Sequence, residues 1–127
     1  MPLRWEILHP EKFVHIVADG VVTLQDFEAH FDAIVVADAM GYAKLFDASR
    51  IKPKYDDDDV MRLGARLSAY TANFESGPLA VVGKGAMIRD GFARFTNISP
   101  SKRPAMLFDS EAKARAWLAA QPKPSPR

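Results

Sequence analysis

The chain has 127 residues and a formal net charge of +1 at pH 7, and 48% of its residues are hydrophobic and 26% are charged. This composition is typical of a folded globular protein, and it excludes a disordered chain, a collagen-like fibre and a coiled coil. The length favours a single domain. Because the sequence contains no cysteine, disulfides, thiolate metal sites and cysteine nucleophiles are excluded.

The domain is predicted to span residues 1–120, and a disordered proline-rich tail is predicted at residues 121–127. Arg4 and Glu6 interrupt the apolar N-terminal residues, and no apolar run is long enough to cross a bilayer. Neither a signal peptide nor a membrane span is therefore predicted, and we expect a cytoplasmic protein. The near-neutral total charge gives no reason to expect nucleic acid as a partner.

The first half of the chain predicts a hairpin followed by a helix. Two apolar, β-branched segments at residues 4–9 and 13–18 are typical of antiparallel strands joined by a short turn. Thr23 and Asp26 have the spacing of a capping box, and Asp19 and Gly20 are expected to end the second strand. Apolar residues then recur at helical spacing and predict a helix over 24–38.

The second half predicts an alternation of strands and helices. Strands are predicted at residues 42–47, 79–82 and 105–108, and the wholly apolar 79–82 segment is typical of a strand buried on both faces. Helices are predicted from the aspartate run to Phe74, after Gly85, and after Ser110. The resulting order, ββαβαβαβα, predicts an α/β fold with a mostly parallel five-stranded sheet, one antiparallel edge strand and four helices.

This order and two sequence segments resemble the SpoIIAA-like or STAS fold of anti-sigma-factor antagonists and of cytoplasmic domains of sulfate transporters. The segments are Leu-Phe-Asp-Ala-Ser at 45–49 and Leu-Phe-Asp-Ser-Glu-Ala-Lys-Ala-Arg-Ala-Trp-Leu at 107–118. The pattern looks most like the bacterial stand-alone branch of SpoIIAA-like proteins and covers residues 4–120. The resemblance implies a non-enzymatic regulatory protein that acts through protein–protein contact.

In the antagonists, a strand that ends in Asp precedes a phosphorylatable Ser at the start of the next helix. The matching strand residue here is Asp47, Ser49 follows it, and the helix start carries Asp56, Asp57, Asp58 and Asp59. The switch serine is therefore predicted to be missing, and the resemblance implies that these six residues form an interaction surface for a protein partner or a second copy in a homodimer. The four aspartates are equally typical of an N-cap and first helical turn, and neighbours on one turn cannot all converge on a metal ion.

Gly83, Lys84 and Gly85 lie between a buried strand and a helix, where parallel sheets often bind anions. No Walker or GxGxxG spacing accompanies them, so a tight turn competes with a phosphate or nucleotide site. The three histidines share no metal-ligand spacing, and His30 is predicted to form a surface pair with Asp26. The sequence predicts no enzyme, no metal site and no cofactor, because it contains neither a nucleophile elbow nor a zinc-protease motif.

Aromatic residues are frequent on the predicted helices, and most are expected to form the core. Those left uncovered are expected to form an apolar groove for a small lipid-like ligand or a partner subunit. The residues concerned are Phe27, Phe31, Tyr70, Phe74, Phe92, Phe95 and Trp117.

Charge is divided along the chain. Acidic residues outnumber basic residues up to residue 83, and the reverse holds from residue 84 onward. A basic surface separate from the aspartate run is therefore predicted around the third helix. Its members are Lys84, Arg89, Arg94, Lys102 and Arg103.

Overall fold

The computed structural model describes residues 2–71, 76–98 and 103–122. Its elements follow the predicted order, which is thereby confirmed: β1 (Leu3–Leu8), β2 (Phe13–Thr23), α1 (Leu24–Val36), β3 (Ala43–Lys54), α2 (Asp57–Thr71), β4 (Leu79–Val82), α3 (Ala86–Ile98), β5 (Ala105–Phe108) and α4 (Glu111–Ala119). Phe74, Lys102 and the tail residues 123–127 lie outside the described residues, so the predictions made for them are not addressed.

The strands form one sheet in the order β1-β2-β3-β4-β5. β1 pairs with β2 in antiparallel orientation, and the three other strand pairs are parallel. β4 lies between β3 and β5, and all its residues are buried, as expected for an uninterrupted apolar strand. The predicted sheet with one antiparallel edge strand is confirmed.

β2 and β3 are longer than the sequence predicts. The expected end of β2 at Asp19 and Gly20 is wrong, because both residues pair with β3 and the glycine has a φ of 106° that few other residues adopt. β3 likewise does not end at Asp47 but continues through Pro53 to Lys54, after a shift of register with β2. Pro53 is tolerated because this part of β3 lies beyond the pairing with β4, which stops at Asp47.

The predicted capping box begins α1. The Thr23 hydroxyl oxygen accepts a hydrogen bond from the Asp26 amide at 3.3 Å, and the Asp26 carboxylate accepts one from the Thr23 amide at 2.9 Å. α1 ends at Val36, two residues before the predicted end, and Asp38 then turns the chain with a φ of 56°.

The sheet separates two apolar layers. α4 covers one face, where Ala114 and Leu118 pack in a cluster with Leu45, Ala80 and Val82. α1, α2 and α3 lie on the opposite face. Alternation along the strands presents a second set of apolar side chains to those helices, including Val14, Ile16, Leu79 and Val81.

α2 packs against both α1 and α3. Leu63 and Leu67 on α2 cluster with Leu24 and Phe31 on α1. At the rim of this contact, Nη2 of Arg66 donates to both carboxylate oxygens of Asp32 at 2.9 Å, and Nη1 donates to Glu28 at 3.3 Å. The Tyr70 hydroxyl also donates to Asp32. Because α2 packs on α1 in this way, space remains between α2, α3 and the sheet.

Candidate functional site

A cavity of about 200 Å³ lies between the sheet and helices α1, α2 and α3. Its walls are mainly apolar. The strands contribute Ile16, Phe46 and Val81, and the helices contribute Phe27, Leu63 and Phe92. The cavity therefore lies on the face where the aromatic helix residues predict an apolar groove.

Exposed lining residues mark the mouth of the cavity. Met87 is 54% exposed, and Pro53 and Arg94 are also exposed. Tyr55 and Asp59, which follow Pro53 closely in the chain, also line the cavity. The Tyr55 ring packs edge-on against Phe27 with a centroid distance of 5.7 Å. The mouth thus lies between the end of β3, the start of α2 and α3.

Lys44 is a buried lysine on the cavity face of β3, with 2% of its surface exposed. Its Nζ donates to the carbonyl oxygens of Met40 at 2.6 Å and Tyr42 at 2.8 Å. Burial, followed by the charge of Arg103, lowers the pKa of Lys44 well below its ordinary value. The ion pairs found among the described residues do not include Lys44.

His30 on α1 also lines the cavity, and it is 2% exposed. The prediction of a surface pair with Asp26 is wrong, because the ring packs against Trp5 with a centroid distance of 4.8 Å while the Asp26 carboxylate binds Thr23. Nδ1 of His30 has no hydrogen-bond partner among the described residues. Burial, followed by the charge of Lys44, lowers the pKa of His30 to about 4, so the ring is neutral at pH 7.

Arg103 is the third basic group of the cavity lining. Its guanidinium carbon lies 5.7 Å from the centre of the Phe95 ring, and burial lowers the pKa of Arg103 to about 10. Arg94 in turn pairs with Asp57 at 2.5 Å. Arg94 is therefore paired with the aspartate run rather than separate from it as predicted, and Arg103 lies in the cavity wall.

The aspartate run begins α2, as the sequence predicts. Asp56 and Asp59 cap the helix reciprocally: the Asp56 amide donates to the Asp59 carboxylate at 3.1 Å, and the Asp59 amide donates to the Asp56 carboxylate at 2.8 Å. Asp57 pairs with Arg94, and Asp58 is exposed. Capping and ion pairing thus involve three of the four carboxylates.

Asp47 and Ser49 lie inside β3 rather than beyond its end. The Ser49 amide and hydroxyl both donate to Oδ1 of Asp47, at 3.0 Å and 2.6 Å. Among the described residues, no hydrogen bond or ion pair joins this pair to aspartates 56–59. A single surface formed by all six residues stays a prediction.

The Gly83-Lys84-Gly85 segment forms the turn between β4 and α3. The Gly83 amide donates to the Phe108 carbonyl oxygen at 2.9 Å, and a Cβ at Gly83 would lie 2.8 Å from Cγ2 of Ile88. Gly85 has a φ of 95°, and Lys84 is exposed. The backbone therefore accounts for both glycines, and anion binding here stays a prediction.

Two kinds of feature are not found in the part of the chain that the structure describes. No three His, Asp or Glu side chains are grouped so that they could hold a metal ion. None of the described helices combines the length and apolar character that crossing a membrane requires.

The buried lysine and histidine had weak signals in the sequence. His30 lies at helical spacing between Phe27 and Ile34, on the apolar stripe of α1. Lys44 alternates with Leu45 and shares a strand face with Phe46 in a strand that is paired on both sides. Both residues line the same cavity because of how α1 packs on the sheet, and neither the helical spacing nor the strand alternation predicts that packing.

The topology and the two-layer packing define an α/β protein with the SpoIIAA-like fold. Solved structures with this fold align with nearly the whole chain. One is an uncharacterized protein from the DUF3478 family with a SpoIIAA-like fold from Shewanella loihica, with a TM-score of 0.60, 18% sequence identity and coverage of 91% of each chain.

Two further structures are of SpoIIAA itself. The anti-sigma factor antagonist in its unphosphorylated form has a TM-score of 0.58 and 14% identity, and the alignment covers 94% of this chain and 99% of that chain. The phosphorylated form of the Bacillus cell fate determinant SpoIIAA has a TM-score of 0.55 and 14% identity, with coverage of 91% and 98%. No protein-family model and no curated protein matches the sequence. The fold predicted from the sequence is confirmed by these structures.

Proposed function

We propose that the protein is a non-enzymatic binding protein whose cavity holds a small ligand with an apolar body. The observation that carries this proposal is the cavity of about 200 Å³ with aliphatic and aromatic walls. Protein interiors are normally packed as densely as organic crystals, and an unfilled apolar volume forfeits contacts that a ligand restores. Since a cavity of ~150 Å³ holds benzene, this cavity has room for roughly eight to ten non-hydrogen atoms.

The cavity also has a route for exchange. Met87 and Arg94 on α3 and Pro53 near the end of β3 are exposed and line the cavity. A ligand can therefore enter between α3 and β3 without unfolding of the sheet.

A variant at Gly91 tests this proposal. Gly91 lines the cavity, and a Cβ at this position would meet no atom within 4 Å, so Gly91→Phe places a ring in open space. We expect octan-1-ol to raise the melting temperature of the wild-type protein and to leave that of Gly91→Phe unchanged. Ala112→Phe, at an exposed position of α4, is the matched control and keeps the response.

Native mass spectrometry of protein purified from its own cells gives a second measurement. A carrier is expected to retain extra mass that Gly91→Phe lacks. Absence of both a retained mass and a melting response to octan-1-ol would contradict ligand binding in the cavity.

A second function, protein–protein contact, is favoured by the exposure of Ser49 in β3 and of Asp58 in the first turn of α2. We propose that Asp47, Ser49 and aspartates 56–59 dock a protein partner or a second copy of the chain. The likeness to an anti-sigma factor antagonist supports this proposal at the level of the fold. The permanent charge of the aspartates then stands where phosphorylation would add charge transiently.

Charge reversal tests the docking surface. Asp58→Lys is expected to abolish recovery of a partner that wild-type protein captures, or to abolish self-association measured by sedimentation. Asp90→Lys changes the net charge equally at an exposed position of α3, and it is expected to have no effect. Equal behaviour of the two variants would contradict a role for the aspartate run.

A further inference from the structure

The basic groups of the cavity lie together at its inner end. Lys44 pairs with Leu79, and Leu79 pairs with Ala105, so the amino ends of β3, β4 and β5 are aligned at one edge of the sheet. Arg103 precedes β5 by two residues and is close enough to Lys44 for its charge to act there. The charge of Lys44 acts in turn on His30. The mouth, by contrast, lies toward the carboxyl end of β3.

Lys44 has no counter-charge among the ion pairs of the described residues. Asp59 is the one acidic residue among the described lining residues, and its carboxylate caps α2 near the mouth. The polar contacts of the Lys44 Nζ are two backbone carbonyl oxygens, and the charge of Arg103 acts against a positive charge on Lys44. A buried ammonium without a counter-charge is costly, and a bound anion offsets that cost.

Hydrogen-bonding capacity is also available there. In its ammonium form, which a bound anion favours, Lys44 has three N–H donors, and two are used by Met40 and Tyr42. The neutral His30 ring has one N–H to donate, and its Nδ1 is buried without a partner among the described residues. Lys44 and His30 both line the cavity, and a carboxylate has two oxygens that can accept from two donors.

We propose that the ligand is a monocarboxylate with about eight carbons in all, and that its carboxylate binds Lys44 and His30 at the inner end of the cavity. The apolar body then lies along the aromatic walls toward the mouth. A phosphate ester suits the site less well, because a dianion needs more donors than these two side chains supply and its bulk fills a larger part of about 200 Å³. This inference rests on the ligand-binding function proposed above and adds the chemical class of the ligand.

The test compares three probes of equal chain length by isothermal titration calorimetry of the full chain at pH 7. The probes are octanoate, octan-1-ol and octylammonium, which have the same number of carbon atoms and differ in head group. We expect octanoate to bind about tenfold or more tightly than octan-1-ol, and octylammonium to bind about tenfold more weakly, because a charged head gains or loses a charge-assisted hydrogen bond.

Variants then locate the head group. Lys44→Met is expected to remove the preference for octanoate while leaving the affinity for octan-1-ol within about threefold, because the apolar walls are intact. Lys52→Met, at an exposed lysine of the same strand, is the matched control and keeps the preference. His30→Phe preserves the ring shape and is expected to weaken octanoate about fivefold and octan-1-ol less than twofold; it also decides the question if Lys44→Met does not fold.

The outcomes separate the two proposals. Equal binding of octanoate and octan-1-ol would overturn the carboxylate site and leave the apolar-ligand function standing. Loss of octanoate and octan-1-ol affinity in equal measure in Lys44→Met would assign Lys44 a structural role and would also overturn the inference. If none of the three probes binds, the ligand-binding function itself fails.

Discussion

The Asp57 carboxylate on α2 lies 2.5 Å from Nη1 of Arg94 on α3, and this ion pair joins the two helices beside the mouth of the cavity. The two side chains are 85% and 50% exposed, so water weakens their attraction. We expect a coupling free energy of about 0.2–1 kcal/mol in a double-mutant cycle of Asp57→Ala and Arg94→Ala. Urea unfolding of the four proteins measures it.

Two controls accompany this cycle. Asp58 is a neighbouring exposed aspartate. A second double-mutant cycle that combines Asp58→Ala with Arg94→Ala is expected to show no coupling free energy. Molar salt is expected to reduce the coupling of the real pair, because both charges are exposed. A coupling that is unchanged by salt would contradict an ion pair open to solvent.

The reciprocal hydrogen bonds of Asp56 and Asp59 predict unequal roles within the aspartate run. Asp56→Ala removes the acceptor of the Asp59 amide and is expected to lower the free energy of unfolding by about 1 kcal/mol. Asp58→Ala is expected to change it by less than about 0.5 kcal/mol. Thermal or urea unfolding compares the two, and Asp56→Asn, which keeps an acceptor, serves as the conservative control. Equal losses for the Asp56 and Asp58 variants would contradict the cap.

Element types and topology were predictable because side-chain periodicity reports which residues face the core. The Thr23 and Asp26 capping box and the buried strand β4 follow directly from residue order. The extension of β2 and β3 was not predictable, because Gly20 and Pro53 usually end strands. The extended parts of β2 and β3 pair with each other, and the extended part of β3 has no β4 partner. Pro53 therefore does not cost a hydrogen bond to a second neighbouring strand, as it would in a central strand. Local sequence does not indicate how many neighbouring strands a strand has.

The cavity lining was predictable only in part. The aromatic residues of α1 and α3 indicated an apolar site, whereas His30 was assigned to the surface because Asp26 lies one turn earlier on the same helix. That pairing was excluded by Thr23, which binds the Asp26 carboxylate. The buried position of Lys44 depends on backbone carbonyl groups in the turn before β3. Every residue has a backbone carbonyl group, so the sequence does not predict these hydrogen bonds.

Gly77 and Gly91 predict opposite effects of the same substitution. A Cβ at Gly77 would clash with the carbonyl oxygen of Tyr42 and lie 2.5 Å from that of Gly41, so Gly77→Ala must displace backbone and is expected to cost more than about 2 kcal/mol. Gly91 lies inside α3, and a Cβ at this position would have no atom within 4 Å. Because alanine has a better helix propensity than glycine, Gly91→Ala is expected to stabilise the protein by about 0.5–1 kcal/mol.

Urea unfolding of the two glycine variants checks this contrast, with the slope of the transition monitored to confirm that each unfolds in one step. Gly91→Ala serves as the control for the chemical change itself. A small effect at Gly77 would show that the segment before β4 takes a wider path than the one that brings Gly77 against residues 41 and 42.

The buried ring of His30 predicts that the protein loses stability as the pH falls from about 6.5 to about 4. The unfolded chain takes up a proton on this ring near its ordinary pKa of 6.5, whereas burial holds the pKa of the folded ring at about 4. Between these values the unfolded state binds more protons, so the free energy of unfolding decreases with falling pH, by roughly 3 kcal/mol over the whole interval.

Urea unfolding between pH 7 and pH 4 measures this loss, and His30→Phe is expected to flatten it. The exposed His9 at the hairpin turn offers the matched control, because His9→Gln removes an imidazole that is not buried and is expected to keep the wild-type slope. The hydrogen bond from Tyr70 lowers the pKa of Asp32, and that from Lys113 lowers the pKa of Asp109, so these carboxylates add losses mainly below pH 4. A wild-type slope in His30→Phe would therefore contradict a neutral ring in the cavity wall.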